Sequence, residues 1–241
     1  MLKFYKDNKI WFAVVWIVAY CVLMSIGDAL SDLVGVQKCI TLPVAFLMTA
    51  VLFIFIKKYS LAKENGLCKP ELPAKNAIFY LPLALMVSVN AWYGVALNGN
   101  VLDSVLSAGT MLLVGVLEEV IFRAFLFNAL KQENFNVAVV VSSLTFGMGH
   151  VINLLGGADV LLTLMQIIYA TCAGFAFVII YIKTNSIVPC IVAHSLLNAL
   201  SVFSAQDPKD VVASAITAGV LVVTSVSYAL YFIFAIKNKK E

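Results

Sequence analysis

Long apolar stretches separated by short polar ones dominate the chain. Eight such segments can be marked, most of them near the ~20 residues that an α-helix needs to cross a ~30 Å hydrocarbon core. They cover residues 10–30, 40–56, 77–97, 102–130, 136–154, 160–182, 186–204 and 211–236. The pattern predicts an all-α fold: a polytopic membrane bundle of about eight transmembrane helices, forming a single membrane domain over residues 1–241.

The composition agrees with a membrane protein. Of the 241 residues, 62% are hydrophobic and 12% are charged, whereas a soluble domain has about 25% charged residues. This excludes a water-soluble globule and an intrinsically disordered chain, and no feature suggests nucleic-acid binding. The five cysteines form no C-x-x-C pair. We therefore interpret them as small buried hydrophobic residues rather than as a disulfide framework.

The lysines predict the orientation in the membrane. With the N-terminus inside, the cytoplasmic segments hold 13 of the 15 lysines, and Lys38 and Lys209 fall outside. Cytoplasmic loops carry an excess of lysine and arginine, so both termini are predicted to be cytoplasmic. Residues 57–76 then form a cytoplasmic loop. The first apolar segment has no convincing small-residue cleavage site, and we expect it to be a retained span.

Ionisable residues inside the apolar segments are the candidates for chemistry, because burying them in a membrane is costly. The chain's two histidines and its single arginine, His150, His194 and Arg123, all lie in such segments. The fourth segment also carries Glu118 and Glu119. A sequence that used histidine and arginine as surface residues would place them in the loops.

Helical spacing separates the two glutamates. Glu119 and Arg123 are i,i+4 with the acid first, which is the favourable order for an ion pair, and we predict a structural role for this pair. Glu118 is turned by about 100° from Glu119 and has no cation at i+4. Glu118 is therefore the carboxylate that stays available as a general base or acid.

The remaining candidate positions also come in pairs. Phe146 and His150 are i,i+4, as are His194 and Asn198, so each pair shares a helix face. At ~1.5 Å per residue, Glu118 and the two histidines lie at similar depths, near the middle of the membrane. Three helices could therefore bring an acid and two imidazoles to one point, between segments four, five and seven.

These residues form three ordered motifs that resemble those of the CAAX-protease and bacteriocin-processing (CPBP or Abi) family, which is related to the type II CAAX prenyl proteases. The motifs are E-E-x-x-x-R, F-x-x-x-H and H-x-x-x-N. They read EEVIFR from Glu118, FGMGH from Phe146 and HSLLN from His194. The motif-bearing region covers residues 101–204. The other predicted spans carry no motif and resemble the family only in being apolar segments.

The resemblance implies an intramembrane endopeptidase that acts on a hydrophobic peptide or a membrane-anchored protein. In the usual account, the residue matching Glu118 activates water with help from that matching His150. The residues matching His194 and Asn198 stabilise the oxyanion from the opposite wall. The supporting positions are Glu119, Arg123 and Phe146, with the arginine holding the second carboxylate and the phenylalanine shaping the pocket.

Cofactor and function class stay open at this level. Metal-free water activation is favoured, because the chain has no H-E-x-x-H motif. Two histidines and a glutamate could nevertheless ligate zinc, with His150, His194 and Glu118 as the ligands. The rival functions are a transporter or proton relay, since buried ionisable groups also mark ion pathways, and a non-enzymatic scaffold or immunity protein with a vestigial site.

The substrate is not specified by the sequence. The preference for lysine over arginine and the short chain indicate a multi-pass protein of a bacterial plasma membrane. A prenylated substrate is then not expected. The candidates are a leader peptide, a bacteriocin or signalling-peptide precursor, and a membrane-anchored protein.

Overall fold

The computed structural model describes residues 1–71, 79–97, 99–207 and 209–235, and within them the protein is a helical bundle. These residues contain no β-strand, only an isolated antiparallel bridge between Val95 and Ser204. The predicted all-α membrane bundle is therefore confirmed. The first residues of the third predicted segment, the last residue of the eighth and positions 72–76 of the predicted loop lie outside the described residues.

Ten α-helices are described, three of them continued by other helical turns. They are α1 (Leu2–Asp7), α2 (Lys9–Val34), α3 (Thr41–Lys58), α4 (Leu81–Ser88), α5 (Val101–Glu119), α6 (Asn128–Leu130), α7 (Phe135–Met148), α8 (Val160–Thr184), α9 (Val188–Ser201) and α10 (Val211–Ala235). A 3₁₀ turn, Val89–Ala91, follows α4, and a longer 3₁₀ segment, Gly149–Gly156, follows α7. A π-helix, Val120–Phe127, joins α5 to α6 without a break.

Each of the eight predicted apolar segments contains a helix, in the predicted order. Among the described residues, six helices are long and apolar enough to cross a membrane. The third and seventh segments hold the shorter helices Leu81–Ala91 and Val188–Ser201. At ~1.5 Å per residue they span about 16 and 21 Å, less than the ~30 Å hydrocarbon core. The count of eight crossings therefore stays a prediction.

Local sequence explains where several helices begin and end. The side chain of Asn100 accepts a hydrogen bond from the backbone N–H of Asp103 and caps α5. Asn134 and Asp159 cap α7 and α8 in the same way. Such caps satisfy backbone donors that the first helical turn leaves unpaired. Gly35 ends α2 in the left-handed conformation, with φ of 79°.

The lysine-bearing end of the bundle is where α2 begins, α3 ends and α8 ends. There the Lys9 ammonium is 2.9 Å from Glu64 Oε1. Asn128 of α6 donates to the hydroxyl of Tyr181 on α8 at 2.8 Å, and Lys131 lies 5.5 Å from the centre of the Tyr181 ring. The structure thus gathers lysines from distant parts of the chain at one end.

The opposite end, called the far end below, is where α2 and α9 end and α5 begins. The backbone N–H of Gln37 donates to Asp103 Oδ1 at 3.0 Å. The backbone N–H of Ala205 donates to the carbonyl of Gly94 at 3.0 Å. These contacts hold the helix ends together at the end of the bundle opposite the lysines.

The described part of the predicted loop packs against the helix ends. Asn65 is fully buried and donates to the carbonyl of Leu61 at 3.0 Å. Gly66, at φ of 70°, accepts at its carbonyl from the N–H of Ile187 at 2.9 Å. The cysteines carry no disulfide: all five are free, one of them buried and four partly buried.

Candidate functional site

The two glutamates lie where α5 changes into the π-helix. Glu118 and Glu119 are the last residues of α5, and Arg123 lies inside the π-helical turns Val120–Phe127. Glu119 and Arg123 are fully buried, and Glu118 is 8% exposed. Short π-helical stretches occur frequently at functional sites. Sequence spacing predicted one continuous α-helix here and gave no sign of this change.

The predicted ion pair is present. Arg123 Nη1 lies 3.1 Å from Glu119 Oε1, with both side chains fully buried. The guanidinium carbon lies 4.1 Å from the ring centre of Phe146 and 5.5 Å from that of Phe177, which are cation–π distances. Gly174 leaves the space for this group, because a Cβ there would come within 3.2 Å of Arg123 Nη2.

His194 lies between the two glutamates. Its Nδ1 is 2.9 Å from Glu119 Oε1, and its Nε2 is 3.4 Å from Glu118 Oε2. An ionised carboxylate only accepts hydrogen bonds, so the pairing of Glu119 with Arg123 favours the proton on Nδ1. The expectation that His194 faces Glu118 from the opposite wall is not met, because its ring directly contacts both carboxylates.

The approach of α9 to α5 places this histidine. Gly115 lies one turn before Glu119, and a Cβ added to it would be 2.6 Å from Cα, N and Oγ of Ser195. Real Cβ atoms essentially never come that close. The absence of a side chain at Gly115 therefore lets the backbone that carries His194 reach the glutamates.

The other side of Glu118 is held by a residue that the motifs do not include. The Tyr20 hydroxyl, on α2, donates to Glu118 Oε1 at 2.7 Å. Tyr20 was missed because one tyrosine in an apolar segment carries no pattern that distinguishes it from a core or interfacial aromatic residue. Only the packing of α2 against the motif-bearing helices brings it to the site.

A continuous chain of contacts results. It runs from Arg123 to Glu119, to His194, to Glu118 and to Tyr20, at 3.1, 2.9, 3.4 and 2.7 Å in turn. The chain joins α5 and its π-helical extension to α9 and α2. The two carboxylates thus have different surroundings: Glu119 is enclosed between Arg123 and His194, and Glu118 has one face left for a ligand.

That face opens on a cavity of about 750 Å³, within the usual size range of small-molecule and cofactor pockets. His150 and Asn198 line it together with Glu118 and Phe146. His150 belongs to the 3₁₀ segment beyond the end of α7, yet its ring centre remains 6.1 Å from that of Phe146. His194 is not part of the cavity wall.

The described residues do not form a ready metal site. No group of three or more histidine, cysteine, aspartate or glutamate side chains among them is placed to hold a metal ion. His194 directs both ring nitrogens at carboxylates, and His150 approaches the cavity from a different element. The three residues of the zinc alternative are thus not gathered into one such group, and metal dependence stays a question for experiment.

Two comparisons with known proteins agree with the motifs. Residues 100–200 match the family model described as "Type II CAAX prenyl endopeptidase Rce1-like". The chain is also 32% identical over 114 residues to the "Putative membrane peptidase YdiL" of Bacillus subtilis (strain 168). That match covers 45% of this chain and 42% of the relative, so less than half of the relative's length is spanned. The resemblance expected from the motifs is confirmed.

Proposed function

We propose, from the match of residues 100–200 to the Rce1-like family model, that this protein is an intramembrane endopeptidase. Its substrate would be a hydrophobic peptide or a membrane-anchored protein. The observation that supports this best is the placement of Glu118. It is a buried carboxylate at the wall of a cavity of about 750 Å³, while the neighbouring Glu119 is separately paired with Arg123.

The proposed reaction is hydrolysis by an activated water. Glu118 accepts a proton from a water molecule in the cavity as the water oxygen attacks the carbonyl carbon of the scissile peptide bond. The carbonyl oxygen becomes negatively charged and is stabilised by hydrogen-bond donors. The C–N bond then breaks, and the proton held by Glu118 passes to the leaving amine. General base catalysis of this kind contributes typically 10²–10⁴-fold to a rate.

The cavity wall suggests which donors meet the oxyanion. Asn198 and His150 face the cavity, so their N–H groups are the candidates in this proposal. The resemblance assigned an oxyanion role to His194 as well. Its contacts with both carboxylates favour a positioning role instead, in which Glu119 holds the ring beside Glu118.

The test uses purified full-length protein in detergent and a panel of internally quenched hydrophobic peptides, with cleavage products identified by mass spectrometry. We expect the wild type to cleave at least one peptide. Glu118→Gln, which keeps the shape and removes the base, should lower that rate by at least about 10²-fold. The matched control is Glu133→Gln at an exposed glutamate in the turn after α6, which should cleave as the wild type does.

The same assay separates the rival functions. A transporter or proton relay would cleave no peptide, whereas proteoliposomes containing it would show proton flux that Glu118→Gln abolishes. Cleavage by Glu118→Gln at the wild-type rate would remove Glu118 from the proposed mechanism.

Metal dependence needs its own measurement. We expect active, purified protein to contain no stoichiometric zinc, and its cleavage rate to be unchanged by a chelator. If chelation stopped cleavage and added zinc restored it, His150, His194 and Glu118 would have to rearrange into a ligand set. The metal-free proposal would then be wrong, although the proteolytic function would stand.

A further inference from the structure

The cavity beside Glu118 extends along the bundle, and its lining residues on α2 show towards which end. The lining residues of this helix recur at positions three and four apart, from Tyr20 to Asp32. They form a stripe on one face of the helix, about 18 Å long at 1.5 Å per residue. Tyr20 holds Glu118, and Asp32 lies in the last turn of α2. The cavity therefore extends from the glutamate towards the far end of the bundle.

The other helices give the same direction. On α5 the cavity is lined at Glu118, Val114 and Met111, which lead back towards the start of that helix. On α9 it is lined by residues from Leu197 to Ser201, the last residue of the helix. Because α5 begins and α9 ends at the far end, both helices lead the cavity there.

The cavity is closed towards the lysine-bearing end. Phe122 and Phe146 form its base and are buried, as are Leu117 and Ile121 of the core beside them. At the far end its lining is exposed: Leu155 is 87% exposed. Access to Glu118 is thus open from one end of the bundle and blocked by packed side chains from the other.

Charged residues line the cavity at its open end. Lys38 lies 2.8 Å from Asp28, and both line the cavity with Asp32. Ionised groups are costly in hydrocarbon, so this end of the cavity must be in contact with water. The proposed hydrolysis consumes a water molecule, so an end of the cavity in contact with water suits it.

We propose that the substrate peptide enters this cavity as an extended segment from the far end, the side of the membrane opposite the lysine-bearing end. With the orientation that the lysines predict, the far end faces the outside of the cell. The substrate would therefore be a peptide or membrane-anchored protein whose scissile bond is presented at the outer face. This proposal rests on the proposed function, but the position of the opening is measured separately from activity.

The experiment uses single added cysteines and a membrane-impermeant maleimide on intact cells, with the labelled site identified by mass spectrometry. Leu155→Cys places a thiol at the open end, and Ala158→Cys is a second position in the exposed lining. The matched control is Lys63→Cys, exposed at the lysine-bearing end. We expect Leu155→Cys and Ala158→Cys to be labelled in intact cells, and Lys63→Cys only after the membrane is permeabilised.

The labelled proteins are then purified and assayed with the peptide that the wild type cleaves. A bulky maleimide adduct at either open-end position should lower cleavage at least tenfold, a methylthio adduct should lower it less, and an adduct at Lys63→Cys should have no effect. Labelling of both open-end cysteines only after permeabilisation would overturn the outer-face assignment. Unchanged cleavage with the bulky adducts in place would overturn entry at this end. If the wild type cleaved no peptide, the proposed function would fail, while the labelling would still locate the opening.

Discussion

Gly115→Ala tests whether the spacing between α5 and α9 sets the geometry of the site. The added Cβ would be 2.6 Å from backbone atoms of Ser195, whereas ordinary contact is 3.4–4 Å. The two helices must therefore separate by about 1 Å, and His194, which precedes Ser195, moves with α9. A misplacement of about 1 Å can cost about 10²-fold in rate, so we expect cleavage to fall about 10²-fold.

The control is on the same helix. Gly109→Ala adds the same methyl group, but its Cβ meets only the Leu42 side chain, at 3.4 Å. Both substitutions gain about 0.8–1 kcal/mol of helix propensity, whereas Gly115→Ala also carries an overpacking cost of about 1–3 kcal/mol. We expect Gly109→Ala to unfold at or slightly above the wild-type temperature and to cleave normally.

The assay compares kcat and KM for the three proteins, with thermal unfolding in detergent to confirm that each is folded. The contact at Gly115 involves backbone N and Cα of Ser195 as well as its hydroxyl. Adding Ser195→Ala should therefore not restore activity. A folded Gly115→Ala that cleaves as fast as Gly109→Ala would refute the reasoning, because the helix spacing would then not control His194.

Two further substitutions test the ends of the contact chain. Arg123→Ala leaves Glu119 buried without its cation and should cost about 3–5 kcal/mol of stability, measured by unfolding in detergent. Arg123→Lys should recover only part of it, since a lysine lacks the planar group that lies over Phe146; full recovery would contradict this. Tyr20→Phe removes one hydroxyl and should lower kcat while leaving KM and thermal stability near wild type. Tyr93→Phe, which removes a hydroxyl bonded to the Ala213 carbonyl at 3.2 Å, is its control and should not change kcat. A Tyr20→Phe protein with wild-type kcat would exclude a positioning role.

Local spacing was enough to predict part of the site. Glu119 and Arg123 pair as their i,i+4 spacing indicates, and Phe146 stays beside His150 even though α7 ends between them. These contacts join residues four positions apart in the chain, which stay close even where the α-helix changes to π-helical or 3₁₀ turns. The positions of the apolar helices were predictable for a similar reason, because a run of hydrophobic residues is visible in the sequence without knowing what it packs against.

Contacts between distant segments could not be predicted. Tyr20 and Glu118 are 98 positions apart, and no periodicity relates α2 to α5. The close contact at Gly115 depends on which face α9 presents to α5, and glycine is common in membrane helices for several reasons. The placement of His194 between the glutamates follows from that contact. The lengths of α4 and α9 were overestimated because apolar composition continues into the turns beyond them.

The surroundings of the two glutamates differ in a way that favours Glu118 as the proton acceptor of the proposed reaction. Glu119 is fully enclosed and already shares its oxygen Oε1 with Arg123 and His194. Glu118 has a neutral hydroxyl on one oxygen and a cavity beside it. In the proposed reaction, Glu118 can therefore take a proton from water in the cavity, and that water enters at the open end. The ion pair with Arg123 thus occupies Glu119 and leaves Glu118 for the proposed chemistry.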